Sequence, residues 1–337
     1  MSFTRFLVRR TLTVIPLLLG VVFITFMLIR VGGLDPVGQL AGPTATQAEF
    51  DMIREELGLD KPLWQQFLIY TGNVMQGDLG ESWLSNRPVL DDMLERAVIS
   101  LELLFWGVGL GALIGIPVGL RAAFRPNGKF DQTTRVLSLL GFSIPTYWLG
   151  LVMIFVFFYL LDWAPPAIGR IGLMIFPPDT VTGSYLIDGL LAAEWEAAWS
   201  ATTHLILPVI CLAIVSAAPI IKQTRAIALE VLSSETVRYA RACGLPERTV
   251  RKLVFRNSAV PILTFVGTEV TGLVGTMSLI EYVFAWGGLG QYGLNAIVRG
   301  DFTAVQGYVL ALALFSVLVF LVVDIIVHLI EPRSELS

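Results

Sequence analysis

Long stretches without charged side chains are the feature of this sequence that most restricts its fold. About 20 apolar residues in a helix cross a bilayer, and the run from 11 to 29 has no charge in 19 residues. A run from about Asn257 to Ile280 is apolar except for Glu269. The pattern therefore predicts six transmembrane helices and an all-α membrane protein. The other four uncharged runs are 103–120, 136–161, 197–221 and 302–323.

The composition excludes several classes of protein. Charged residues make up 15% of the chain and hydrophobic residues 55%, whereas soluble domains carry about 25% charged residues. This argues against an ordinary soluble enzyme. Two cysteines, Cys211 and Cys243, and two histidines, His204 and His328, are too few for a disulfide framework or a clustered metal site. We expect no metal or cofactor bound by this chain.

The distribution of basic residues predicts the orientation of the helices. Lysine and arginine concentrate in cytoplasmic loops, and one set of alternate segments holds 16 of the 23 basic residues. Six spans place both termini on that side, so both termini are predicted to be cytoplasmic. The first run is longer than the roughly 7 to 15 apolar residues of a signal peptide, so we interpret it as an anchor. The basic residues of the cytoplasmic set are Arg5, Arg9, Arg10, Arg121, Arg125, Lys129, Arg135, Lys222, Arg225, Arg238, Arg241, Arg248, Arg251, Lys252, Arg256 and Arg333.

Three regions follow from this layout: an N-terminal anchor helix (1–30), an extracytoplasmic loop (31–97) and a core of five helices (98–332). Two helix signatures lie in the outer loop. Thr46 with Glu49 has the spacing of a capping box, with Gly58 as the stop, and a second helix starts at Asp60, has Pro62 in its first turn and ends near Gly77. These helices either cover the spans or dock a soluble partner.

The inner loop of the core, residues 222–256, carries eight basic residues. Ser234 is placed to cap a short helix through about Ala242, Gly244 provides a left-handed stop, and Pro246 opens the next helix. Such a helix would lie across the membrane face, and the small residues Ala240, Ala242 and Gly244 would let a partner approach its backbone. The other interpretation is a basic loop held by anionic lipid.

Glycines recur at every fourth position in the second span. Small residues at this spacing let two helices approach closely, so the sequence predicts a packing face here. The glycines are Gly107, Gly111, Gly115 and Gly119.

Two nucleotide-binding motifs are excluded. Gly288, Gly290 and Gly293 spell G-x-G-x-x-G, but they follow a predicted membrane span instead of a strand. No G-x-x-x-x-G-K-[ST] occurs in the sequence, so the chain has no P-loop and any ATP would be handled by another subunit.

Three motifs in sequence order carry a resemblance to a known family. The outer loop holds Leu57-Gly-Leu-Asp-Lys-Pro-Leu63 and Gly77-Asp-Leu-Gly-Glu-Ser82, and the inner loop holds Val237-Arg-Tyr-Ala-Arg-Ala-Cys-Gly-Leu245. Glu281-Tyr-Val-Phe284 and Arg299-Gly-Asp-Phe-Thr-Ala-Val-Gln-Gly307 lie near the end. Together they resemble the binding-protein-dependent ABC transporter permeases of the dipeptide, oligopeptide and nickel class. The inner-loop segment is similar to the family's "EAA" coupling motif.

The resemblance implies a non-enzymatic permease subunit with the type I ABC importer fold, in a bacterial or archaeal cytoplasmic (inner) membrane. Its expected partners are a second homologous permease, two ATP-binding subunits that hold ATP and Mg, an extracytoplasmic solute-binding protein and membrane lipid, with no nucleic acid. The most plausible cargo is di- or oligopeptides. The residues expected to contact the ATPase are Arg238, Tyr239, Ala240, Arg241, Ala242, Gly244 and Leu245.

Two questions stay open at the level of sequence. A secondary transporter or channel that works alone is the alternative function, although Glu269 is the one ionisable residue central in a predicted span. Glu269 itself either lines the translocation route and attracts a cationic end of the solute, or hydrogen-bonds to a paired permease.

Overall fold

The computed structural model describes residues 14–27, 46–56 and 58–330, which are mostly helical. The predicted all-α character holds for these residues apart from one short hairpin. By contacts the chain divides into two units, residues 1–97 with 292–317 and residues 98–291 with 318–337. The helices are α1 (Val14–Met27), α2 (Gln47–Glu56), α3 (Leu63–Met75), α4 (Val89–Ala123), α5 (Lys129–Ser143), α6 (Thr146–Met153), α7 (Tyr185–Leu191), α8 (Trp195–Ser233), α9 (Glu235–Ala242), α10 (Glu247–Val283), α11 (Leu289–Arg299) and α12 (Phe302–Ile330), and the strands are β1 (Glu81–Ser82) and β2 (Arg87–Pro88).

Four of the predicted spans form helices long and apolar enough to cross a membrane. These are α4, α8, α10 and α12, with 35, 39, 37 and 29 residues. The first predicted span is represented by α1, an apolar helix of residues 14–27, while its flanking basic residues Arg5, Arg9, Arg10 and Arg30 lie outside the described residues. The count of six spans and the cytoplasmic position of both termini stay predictions.

The third predicted span, residues 136–161, is not one straight helix. Helix α5 is followed by a second helical segment, which consists of α6 and its π-helical continuation, Ile154–Leu160. The two segments meet at an angle of 97°. Ile144 between them is extended, with φ −75° and ψ 124°, because Pro145 disfavours helical conformation in the residue before it. The absence of charge therefore located the apolar segment but not the bend within it.

The outer loop contains the helices that its capping signals predict. Thr46 and Glu49 form a reciprocal capping box, in which the Thr46 N–H donates to Glu49 Oε2 at 2.6 Å and the Glu49 N–H donates to Thr46 Oγ1 at 3.4 Å. Gly58 and Gly77 have φ of +63° and +82°, which ends α2 and α3 as predicted.

Helices α4 and α8 pack along the glycine stripe of α4. A Cβ added at Gly107, Gly115 or Gly119 would meet Leu212, Ile220 or Thr224 of α8. Since both sets repeat every fourth residue, each glycine accommodates one side chain of the facing helix. Two of the positions also approach the backbone of α8: a Cβ at Gly119 would lie 2.7 Å from the carbonyl oxygen of Ile221, and a Cβ at Gly111 would meet Ser216 Oγ and lie 3.1 Å from the carbonyl oxygen of Ala213.

Candidate functional site

Helix α9 is a separate short helix between the two long helices α8 and α10, as the inner-loop pattern predicts. Its C-terminus is a Schellman motif, in which the Leu245 N–H donates to Ala240 O at 3.2 Å and the Gly244 N–H donates to Arg241 O at 2.9 Å. Gly244 has φ +74°, the left-handed conformation that glycine adopts without steric cost. Pro246 then occupies the N-cap position of α10.

The start of α9 differs in detail from the prediction. Ser234 occupies the N-cap position with an extended backbone, but its side chain makes no capping bond. The Ser234 hydroxyl instead donates to the carbonyl oxygen of Val231, the last turn of α8, at 2.7 Å. The hydroxyl therefore closes the preceding helix, and the prediction of a side-chain cap on α9 was wrong.

One face of α9 rests on an apolar cluster within the core. Val237 of α9 is fully buried with Ala123, Ala228, Val250 and Val254, residues of α4, α8 and α10. Phe124 packs against this cluster and lies 5.4 Å below the Arg251 guanidinium. Three long helices thus hold α9 in a fixed position on the side of the chain that the basic residues mark as cytoplasmic.

The opposite face of α9 is open. Tyr239 is 73% exposed and Leu245 is 44% exposed, an unusual degree of exposure for large side chains on a helix whose other face is buried. The remaining predicted coupling residues differ in their exposure to solvent. Ala240 is buried, so it contributes no surface, contrary to the expectation that it helps a partner approach the backbone. Arg238, Arg241, Ala242 and Gly244 are exposed.

The arginines at this surface are only weakly paired within the chain. Arg238 contacts Glu235 at 2.6 Å and Arg241 contacts Glu247 at 3.1 Å, and all four side chains are about half exposed or more. Exposed pairs of this kind contribute little to stability. The arginines are therefore free to exchange these carboxylates for those of another molecule.

A buried ion pair fixes the base of α5 to α8. The Asp131 carboxylate is fully buried and accepts from Nε and Nη2 of Arg225, and the Asn127 N–H adds a third bond at 2.9 Å. Sequence reasoning did not identify Asp131. The available signal was a single acid between Lys129 and Arg135 in an otherwise basic segment.

We expect Asp131→Asn to lower the thermal stability of the purified protein markedly. Removing the carboxylate leaves the partly buried charge of Arg225 without its partner, and the cost should approach but not reach the roughly 3–5 kcal/mol of a fully buried pair. The matched control is Glu235→Gln, which breaks the exposed pair with Arg238 and should shift the unfolding free energy by less than about 0.5 kcal/mol. Equal shifts in melting temperature for the two variants would contradict this assignment.

Glu269 lies on α10 and is half-buried. Among the described residues none donates a hydrogen bond to it or forms an ion pair with it. The nearby Gly272 and Gly275 are exposed, and a Cβ at either would meet nothing within 4 Å. The structure thus presents Glu269 beside an uncovered part of the helix, with both hypotheses for its role still to be tested.

The G-x-G-x-x-G segment does not form a dinucleotide site. Gly288 and Gly290 follow helix α10 and lie against Glu281 and Ser278 of that helix. Glu281 is buried and accepts from the Ser100 hydroxyl at 2.5 Å and from the Gln291 N–H at 2.8 Å. Gly288 allows the backbone to approach this carboxylate and Gly290 allows it to approach Ser278, so both glycines have a packing role without a nucleotide.

Comparison with known proteins gives matches along nearly the whole chain. Residues 115–335 match the family described as binding-protein-dependent transport system inner membrane component, and residues 3–103 match the N-terminal region described for such membrane components. The chain is 38% identical to the probable D,D-dipeptide transport system permease protein DdpB of Escherichia coli (strain K12), over 99% of this chain and 98% of that protein.

Two further relatives extend the comparison. The chain is 37% identical to the dipeptide transport system permease protein DppB of Escherichia coli (strain K12), over 98% of both proteins. It is 30% identical to the oligopeptide transport system permease protein AppB of Bacillus subtilis (strain 168), over 98% of this chain and 99% of that protein.

Proposed function

The chain belongs to the family of binding-protein-dependent transport system inner membrane components, and from this premise we propose that it is the permease subunit of an importer for di- and oligopeptides. Membership makes it a membrane subunit that works with ATP-binding and solute-binding proteins, with ATP hydrolysis in the separate subunits. The peptide cargo rests on its similarity to permeases of D,D-dipeptide, dipeptide and oligopeptide systems.

The observation that carries the coupling role is the geometry of α9. Its buried face is fixed to α4, α8 and α10 through Val237, while Arg238, Tyr239 and Arg241 project from the other face. A helix supported in this way can transmit a displacement of a bound subunit to three spans at once, because packed helices move as rigid elements. We infer that α9 lies in a groove of an ATP-binding subunit.

The complete transporter would contain two permeases, each with its own coupling helix and ATP-binding subunit. A second, homologous permease pairs with this chain, and an extracytoplasmic solute-binding protein delivers the peptide. ATP binding favours one arrangement of the paired helices and hydrolysis releases it, so the path opens alternately to the two sides. The chain itself holds neither ATP nor Mg in this scheme, and lipid surrounds its spans.

Reconstitution tests this function against transport by the lone chain. The complete complex in vesicles should take up dialanine only with ATP and the solute-binding protein present, and the purified chain alone should take up none. Uptake by the lone chain, driven by an ion gradient, would instead establish the alternative of a secondary transporter. Retention of an ATP-binding subunit on the tagged chain through purification is the accompanying control.

A further inference from the structure

Helix α10 has a face that no described part of the chain covers. Thr264, Thr268, Gly272 and Gly275 are exposed and follow one another at intervals of three or four residues, so they lie on one side of the helix. An added Cβ at Gly272 or Gly275 would find only open space. The opposite side of the same helix is packed, with Leu273 and Met277 buried.

Glu269 lies at the edge of this open face, one turn before Gly272. It is half-buried, and the described residues supply no cation or hydrogen-bond donor for its carboxylate. A charged side chain in the middle of a span is strongly disfavoured in lipid and is normally found toward the interior of a bundle or a water-filled cavity. The carboxylate therefore requires a polar group or water from outside the described residues.

The polar groups beside Glu269 can accept hydrogen bonds but have no free donors. The Thr264 hydroxyl donates to Val260 O at 3.0 Å, and the Thr268 hydroxyl donates to Thr264 O at 3.1 Å. Both hydroxyl protons are thus used by the helix itself, and the oxygen lone pairs remain. An ammonium group has the complementary character, since it carries three donors, no acceptor and a positive charge.

We propose that Glu269 is a specificity-determining residue that lines the solute path and accepts the ammonium group at a peptide's amino terminus. The inference rests on the proposed function of peptide import. The open face of α10 then lies toward the passing solute. The Glu269 carboxylate and the threonine oxygens can accept hydrogen bonds from an amine of the solute, whereas they have no proton to donate to a carboxylate of the solute. Gly272 contributes by leaving room beside the carboxylate for the bound group.

Cysteine accessibility tests the charge and the exposure of this face together. In the complete complex, Gly272→Cys in a Cys243→Ser background is treated with a cationic and an anionic methanethiosulfonate, and the background without Gly272→Cys is the blank. We expect the cationic reagent to react faster, and Glu269→Gln to lower the ratio of the two rates at least about tenfold, as expected for a unit charge a few ångströms away. Glu196→Gln, which removes an exposed carboxylate at the start of α8, should leave the ratio unchanged.

The opposing results are specific. A cysteine at 272 that reacts with neither reagent would place the face against lipid or a second permease and overturn the proposal. A ratio that does not change in Glu269→Gln would do the same.

Uptake of dialanine separates this inference from the proposed function. We expect Glu269→Gln to reduce uptake about tenfold while complex assembly is retained, and Glu269→Asp to recover part of it. Wild-type uptake of dialanine with an equal rate in Glu269→Gln would overturn the inference alone. Absence of dialanine uptake by the wild-type complex would contradict peptide import and, with it, the assignment of the amine.

Discussion

Replacing Gly111 with leucine is expected to prevent the chain from accumulating as a folded protein in the membrane. Any side chain at this position collides with Ser216 Oγ and approaches the backbone carbonyl of Ala213 at 3.1 Å. Overpacking by a few atoms costs about 1–3 kcal/mol when side chains can move aside. The Ala213 backbone cannot move without displacing the whole of α8, so the cost here should exceed that range.

Gly109 provides the matched control on the same helix. A Cβ at Gly109 would meet nothing within 4 Å, and Gly109→Leu should accumulate to the wild-type level, measured by fluorescence-detected size exclusion of the tagged chain. Gly107→Leu should also accumulate poorly, because the obstructing atoms include Leu212 Cβ, whose position is fixed by the backbone of α8. Equal accumulation of Gly111→Leu and Gly109→Leu would show that α4 and α8 do not pack through the glycine stripe.

Gly244→Trp is expected to abolish solute uptake while leaving the complex assembled. Within the described residues a Cβ at Gly244 meets nothing within 4 Å, so a large side chain there would obstruct only a partner. Tryptophan would also have to adopt the left-handed conformation of this position, φ +74°, which costs a residue with a Cβ about 1–2 kcal/mol. ATP hydrolysis should continue at its basal rate and lose its stimulation by the loaded binding protein.

Two smaller substitutions separate obstruction from backbone strain. Gly244→Asn should retain most of the uptake, since asparagine is the residue besides glycine that most readily adopts this conformation. Gly244→Ala has the backbone strain of Gly244→Trp without its bulk, so its uptake should lie between the uptake of Gly244→Asn and that of Gly244→Trp. Normal stimulated hydrolysis and normal uptake in an assembled Gly244→Trp complex would contradict the placement of a partner at the end of α9.

The sequence predicted correctly those features in which a residue acts through its immediate neighbours in the chain. Gly244 and Pro246 marked the end of α9, and Thr46 with Glu49 marked the start of α2, because caps and left-handed positions depend on local chemistry alone. Absence of charge located the apolar helices for the same reason. Each of these signals is local and needs no knowledge of the tertiary packing.

Features that depend on a distant neighbour were missed or only partly predicted. Ala240 is buried instead of exposed, which only the docking of α9 on α8 and α10 determines. Asp131 pairs with Arg225 across 94 positions of sequence, a separation at which no spacing rule applies. The charge pattern does not indicate the bend at Ile144, because both arms of the segment are uncharged. The sequence signal for this bend is Pro145.

The coupling role of α9 can be tested directly on the native chain through its own cysteine. Cys243 is exposed at the end of α9, whereas Cys211 is buried, so a thiol-directed photo-crosslinker added before the ATP-binding subunits are bound will label Cys243 in preference to Cys211. If α9 lies in a groove of an ATP-binding subunit, illumination should join the chain covalently to that subunit. Crosslinking to lipid alone, in a complex that still imports solute, would show that α9 is a membrane-surface helix and would contradict the proposed coupling.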